Sequence, residues 1–543
     1  MTIASPRQTA TSVVGDLLRT NRIRDGVAAL LVLLGVLLPW NIGFGATITG
    51  SAGWAMAVVV TAAVASSAGL AISHVGRFSI RRPDADLRIL DRLRLAANVP
   101  ALAAVAGFTV FALVEAIRTG GSATVPPGVG PGAWLALAGA LLAAAPVITA
   151  PDARQGCRAG RIIGIASLVL AVAAALFTLY WRTRFVAPHI ADPDTGAQNL
   201  SVLVAAVAYG VVALLPVVLA ARWSMSADPS ARMSVVLLGD STLVAGTLVW
   251  LLPAGRDLDA FHGIAQTTST AGVGFEGYVA WVAVAALVGS GTVLSARGTL
   301  KPWRSAARKC LLLIAVWCGG TAILRIVDLV MSALLALPDP PYNATTLMAF
   351  DLVTAVVAGW LYVNSAGNRA PRLLLGLLTG TLFVLTVCRV VVGVALVPRV
   401  APLNPDDITD VYGNTLAQQI TGTFDVVMCA VALALTVIAL RAGPAAAGVA
   451  AKTPAAKAHP EFEVRQYEMA AGRPVETAVL PLGAAAPTIA IPSATPATVR
   501  IARPSVTPSA APADRVADVL AQSTQRFAAG TTYGAKPADV DSE

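Results

Sequence analysis

Charge is scarce in this chain. Only 13% of its 543 residues are Asp, Glu, Lys or Arg, and only four are histidine. A water-soluble domain carries about 25% charged residues. Hydrophobic residues meanwhile reach 56%, and mean hydropathy is +0.71. So few charges cannot cover so much apolar side chain in water. That excludes a soluble enzyme, a disordered chain and a coiled coil. Cysteine is rare as well. Cys157, Cys310, Cys318, Cys388 and Cys429 form no CxxC pair and show no zinc-ligand spacing. No disulfide framework, metal site or bound cofactor is expected. No GxSxG, Walker A or HExxH motif occurs, so the chain reads as a non-enzyme.

What is present is a succession of apolar runs. A helix needs about 20 mostly apolar residues to cross a bilayer. Twelve runs qualify: 26–43, 52–73, 96–117, 132–150, 162–181, 199–221, 233–253, 278–296, 310–337, 344–365, 373–398 and 419–441. The expected fold is therefore an all-α integral membrane protein of about twelve transmembrane helices. A cytoplasmic segment, 1–25, precedes the membrane domain, 26–441. The first run has a basic lead-in like a signal peptide. No small-x-small cleavage site closes it, and Pro39-Trp40-Asn41 follows directly. An uncleaved anchor is expected.

The basic residues orient the chain. The loops on one side carry twenty-three Lys and Arg, including Arg19, Arg22, Arg24, Arg77 to Arg94 and Arg297 to Lys309. The other side carries five: Arg118, Arg182, Arg184, Arg256 and Arg399. By the positive-inside rule both termini lie in the cytoplasm of a plasma-membrane protein. The net charge of +9 thus reports topology and not nucleic-acid binding. From 442 to 543 the composition turns Ala/Pro-rich, which predicts a largely disordered cytoplasmic tail. Two stretches stand out in it, a strand-like Phe462 to Tyr467 and a helix-like Ala513 to Phe527.

Charged residues deep in a membrane are costly and usually face the bundle interior with a partner. Six occur here: Asp240, Arg325, Asp328, Asp351, Arg389 and Asp425, all in the last six runs. Arg325 and Arg389 sit on the first helix, and Asp351 and Asp425 on the second, of two similar hairpins, 310–365 and 373–441. This pattern reads as a duplication. Depth pairs Arg325 with Asp351 and Arg389 with Asp425, with a crossed Arg325–Asp425 pairing as the alternative. Asp328, three residues after Arg325, competes for it. Asp240 has no basic residue on its own helix. It either holds a proton or faces Arg325 or Arg389.

The outer loop 254–277 is the most distinctive aqueous segment. Asp257, Asp259, His262 and Glu276 offer cation ligands, though such groups in a loop more often face water. Asp406, Asp407 and Asp410 form an acidic outer patch.

Two segments carry a resemblance. Arg24-Asp25-Gly26-Val27-Ala28-Ala29 leads to Leu37-Leu38-Pro39-Trp40-Asn41, and Asp259-Ala260-Phe261-His262-Gly263-Ile264-Ala265-Gln266 leads to Gly272-Val273-Gly274-Phe275-Glu276-Gly277-Tyr278. Both resemble a group of uncharacterised multi-pass membrane proteins of mycobacteria and related actinobacteria. The resemblance covers roughly 20–441 and implies no activity. Function classes therefore rest on the charges. A permease-like protein for a small solute or ion leads. An envelope scaffold whose tail recruits a cytoplasmic protein partner is the alternative. A membrane enzyme ranks last.

Overall fold

The computed structural model describes residues 6–42, 53–75, 87–120, 128–149, 156–251, 272–296, 299, 301–335, 344–365, 372–395 and 408–441. Among them are twelve α-helices. They are α1 (Pro6–Leu37), α2 (Gly53–Ile72), α3 (Leu87–Arg118), α4 (Pro131–Ala144), α5 (Cys157–Val186), α6 (Gly196–Met225), α7 (Pro229–Leu251), α8 (Phe275–Ser295), α9 (Lys301–Leu334), α10 (Ala344–Asn364), α11 (Arg372–Val390) and α12 (Ile408–Arg441). Ten of them, α2, α3 and α5–α12, are long and apolar enough to cross a membrane. In hydrocarbon every backbone N–H and C=O must be satisfied within its own segment, which is why the apolar runs become helices. Large apolar residues such as Leu33, Val64, Leu176, Val356 and Leu377 lie exposed on the bundle surface. Water would penalise that surface, whereas lipid solvates it. The protein is an all-α, multi-pass membrane protein.

Several element bounds differ from the sequence expectation. Residues 6–25 do not form a separate segment, because α1 runs from Pro6 straight into the apolar run. It stops at Leu37, short of 43, because Pro39 disfavours helix in the residue before it. Trp40 then turns back, and its Nε1 donates to the Gly35 carbonyl at 2.7 Å, satisfying one of the free carbonyls at the helix end. Next comes a strand, β1 (Asn41–Ile42), which pairs antiparallel with β2 (Gly128–Val129), Asn41 opposite Val129. Pro131 opens α4, where its missing N–H costs nothing. Helix α4 has only 14 residues, about 21 Å at 1.5 Å per residue, and ends at Ala144 instead of reaching 150.

The helices pack mostly as sequential pairs: α2 on α3, α5 on α6, α7 on α8, α9 on α10 and α11 on α12. Helix α1 pairs instead with α4. There the backbones nearly touch, since a Cβ at Gly139 would stand 2.8 Å from the Val32 nitrogen and 2.9 Å from the Ala28 carbonyl. Gly139→Ala is therefore expected to cost about 1–3 kcal/mol by overpacking, seen as a lowered melting temperature in detergent. An unchanged melt would contradict the close approach. Helix α7 is central and packs on α8, α12 and α9.

Just outside the α7 span, Asp228 clips α7 to α9. It takes a hydrogen bond from Lys309 Nζ at 2.5 Å and from Ser230 Oγ at 2.6 Å. Burial pushes its carboxyl up, but these hydrogen bonds outweigh burial and leave it lowered to about 2. A lowered carboxylate stabilises the fold above its ordinary 3.8, and that stabilisation disappears as pH falls through about 2. The melting difference between wild type and Asp228→Asn should thus stay constant from neutral pH down to mild acid. It should close only between 3.8 and about 2. A gap that closes near neutrality would contradict the clip.

Candidate functional site

Four consecutive helices each bring one charge to a common point. On α9, Trp317, Cys318, Thr321 and Arg325 recur at spacings that place them along one side, and all are buried. Arg325 Nε donates to Asp351 Oδ2 of α10 at 2.9 Å. Asp351 is fully buried, and its other oxygen is in contact with Arg389 of α11. Arg389 reaches on to Asp425 of α12 at 2.7 Å. Its remaining donors go to Thr321 Oγ1 at 3.1 Å and to Cys318 Sγ at 3.5 Å. Trp317 Nε1 closes the chain by donating to Asp425 Oδ1 at 2.9 Å. Two arginines and two aspartates thus form one neutral chain, Arg325–Asp351–Arg389–Asp425. Both pairs expected from helix depth are present. The crossed contact is Arg389 with Asp351, not Arg325 with Asp425. Immediately after Arg389 and Val390, α11 gives way to a π-helical turn, Val391–Ala395.

Asp328 accepts a hydrogen bond from Tyr209 of α6 at 2.5 Å. Asp240 lies exposed on the outer face of α7 and pairs with neither Arg325 nor Arg389. Its neighbour Gly239 sets that rotation. A Cβ there would stand 2.4 Å from Ala285 Cβ, so Gly239 is pressed against α8 and the next residue points about 100° away. Glu276 lies buried in the first turn of α8, where a carboxylate suits the helix dipole. Asp257, Asp259, His262, Asp406 and Asp407 lie outside the described residues, as does the tail with its strand-like and helix-like stretches. Among the described residues, no group of three or more His, Cys, Asp or Glu is placed to hold a metal ion.

Two features escaped the sequence reading. One is a file of aromatic rings that runs into the charge chain. Trp134 of α4 lies 5.2 Å from Tyr278 of α8, Tyr278 5.5 Å from Trp281, Trp281 5.8 Å from Phe424, and Phe424 4.6 Å from Trp317. The other is a second buried charge cluster. Asp25 of α1 accepts from Arg94 of α3 through both oxygens, at 2.6 and 3.0 Å, and from Arg24 at 3.0 and 3.1 Å. His74 lies 3.0 Å from Asp25 Oδ2. The same arginines serve the end of α4. Arg94 donates to the Ala143 carbonyl and Arg24 to the Pro146 carbonyl. Asn21 and Asp91 hold the backbone of Val147 and Ile148. Carbonyls left open by the short helix are thus satisfied by cations, which the helix dipole favours at that end.

A family profile described as a domain of unknown function, DUF7937, matches residues 21–444. The chain belongs to the DUF7937 family. The DUF7937 region takes in both charge clusters and all twelve helices except the first residues of α1. No curated protein and no solved structure matches the DUF7937 chain.

Proposed function

We propose that the protein is a permease-like transporter of a small solute or ion, with the α9–α12 charge chain as its working site. The observation that carries this reading is the sharing of Arg389 between two carboxylates on two different helices. A register lock needs one partner per charge. A shared guanidinium lets one contact open while the other holds, which is what helices that shift against each other require. The π turn beside Arg389 supports the same reading, because such turns are less favourable than α-helix and occur frequently at functional sites. The distribution of Lys and Arg supports a plasma-membrane location with both termini in the cytoplasm. The Arg-rich, Lys-poor usage supports an actinobacterial source. Reporter fusions after Gly255 and at Asn343 should read as outside, and those after Arg304 and at Thr453 as inside.

The competing reading is an envelope scaffold, and the net neutrality of the chain favours it, since paired charges also fix helix register. Uptake into proteoliposomes separates the two. Purified full chain should accumulate at least one solute class, among carboxylates, amino acids, sugars and inorganic cations, above protein-free vesicles under an imposed pH gradient or potential. Folded protein that moves none of these and passes no current would leave the scaffold.

A further inference from the structure

Asp240 stands apart from both clusters. It is the midpoint of α7, eleven residues from Pro229 and eleven from Leu251. At 1.5 Å per residue that is about 16 Å from either end, close to the middle of a hydrocarbon layer about 30 Å thick. The exposed residues that follow on its face are apolar: Val244 at 50%, Leu248 at 47% and Leu251 at 59% exposure. This strip is left uncovered in a helix that otherwise packs on α8, α12 and α9. Among the described residues Asp240 makes no ion pair and accepts no hydrogen bond. None of the charged or titratable groups described on the helices around α7 forms an ion pair or hydrogen bond with Asp240, and Arg232, eight residues earlier on α7 itself, donates to the Ser226 carbonyl. Tyr209 bonds Asp328, Arg325 and Asp425 belong to the charge chain, and Lys309 bonds Asp228. Glu276 and Tyr278 stand at the start of α8.

An ionised carboxylate facing hydrocarbon is far costlier than the neutral acid. We propose that Asp240 is a proton-binding site on the lipid-facing side of the bundle, holding its proton while it faces lipid and releasing it only where water reaches it. The ligand is the proton and not a metal cation, because a metal needs several oxygen ligands and the exposed side chains beside Asp240 are hydrocarbon. The site lies on a different helix from the charge chain and stands whether or not a solute is carried.

An apolar carbodiimide tests it. Such a reagent, dicyclohexylcarbodiimide, reacts with a carboxyl that carries its proton. The acid proton passes to a carbodiimide nitrogen, the carboxyl oxygen bonds the central carbon, and an oxygen-to-nitrogen acyl shift leaves a stable N-acylurea. The full chain in liposomes should carry this adduct on Asp240 at neutral pH, found by peptide mass spectrometry. Labelling should fall several-fold at alkaline pH and be several-fold weaker with a water-soluble carbodiimide. Asp240→Asn should abolish the adduct, and Asp240→Glu should keep it. No adduct on Asp240 in protein that melts normally would overturn the proposal. Equal labelling by the two reagents would also overturn it, by showing a water-facing carboxylate. Solute uptake is not read in this experiment, so its failure is distinct from failure of the transport reading.

Discussion

Asp351→Leu is expected to be the most damaging single substitution among the α9–α12 charges. Asp351 is fully buried between Arg325 and Arg389, so its loss takes a carboxylate from two guanidiniums at once and leaves the chain with a net positive charge. Breaking a buried pair by removing one partner costs roughly 3–5 kcal/mol. The same geometry says which second substitution restores stability. Arg325→Leu with Asp351→Leu leaves the neutral Arg389–Asp425 pair at 2.7 Å. Arg389→Leu with Asp425→Leu leaves the neutral Arg325–Asp351 pair at 2.9 Å. The first double should recover most of the loss and the second should lose little stability at all, since replacing a whole buried pair by apolar residues is often nearly neutral. Arg389→Leu with Asp351→Leu also conserves net charge, yet it leaves Arg325 and Asp425, which do not touch. That double should remain destabilised. Melting in detergent ranks the three. Equal melting temperatures for all three doubles would mean that only net charge matters and that the contacts described above contribute nothing.

Asp25→Ala, in the other buried charge cluster, should be nearly as severe. Its carboxylate receives both terminal nitrogens of Arg94, which is fully buried, and two from Arg24. Removing it leaves two buried guanidiniums to the Ala143 and Pro146 carbonyls alone, and roughly 3–5 kcal/mol of stability should be lost. Arg94→Lys should not be tolerated either, because an ammonium cannot bond Asp25 bidentately and the Ala143 carbonyl as well. His74→Gln gives the contrast. His74 is 34% exposed, so its pair with Asp25 contributes less than about 1 kcal/mol. Chemical unfolding of the three variants should show two large losses and one small one. A small loss for Asp25→Ala would mean that water or lipid headgroups replace its contacts.

The twelve helices were legible because each apolar run is long and no alternative structure satisfies its backbone in lipid. Their ends were less so. Charged residues such as Lys301 to Lys309 were read as loop, yet α9 continues through them, because lysine and arginine are good helix formers and their charges reach water at the membrane edge. The pairs Arg325–Asp351 and Arg389–Asp425 followed from depth along single helices. The Arg389–Asp351 contact depends on how α10 packs on α11, which no spacing within one helix reveals. Asp25 and Arg94 lay in basic stretches read as topology signals, although Asp25 is an acidic residue directly before an apolar run. The rotation of α7 was hidden for a different reason. Both of its faces are apolar, so periodicity did not show which side Asp240 takes. The tight contact of Gly239 with α8 decides it.

On the proposed function, the α9–α12 charges move a solute rather than only hold helices in register. The charge-neutral double Arg325→Leu with Asp351→Leu tests it most directly, because it removes half of the charge chain while leaving the Arg389–Asp425 pair in place. In proteoliposomes where the wild-type chain accumulates a solute, this variant should melt within a few degrees of wild type and accumulate no more than protein-free vesicles do. Uptake at the wild-type rate by the stable double would contradict the claim and leave the charges as a structural lock.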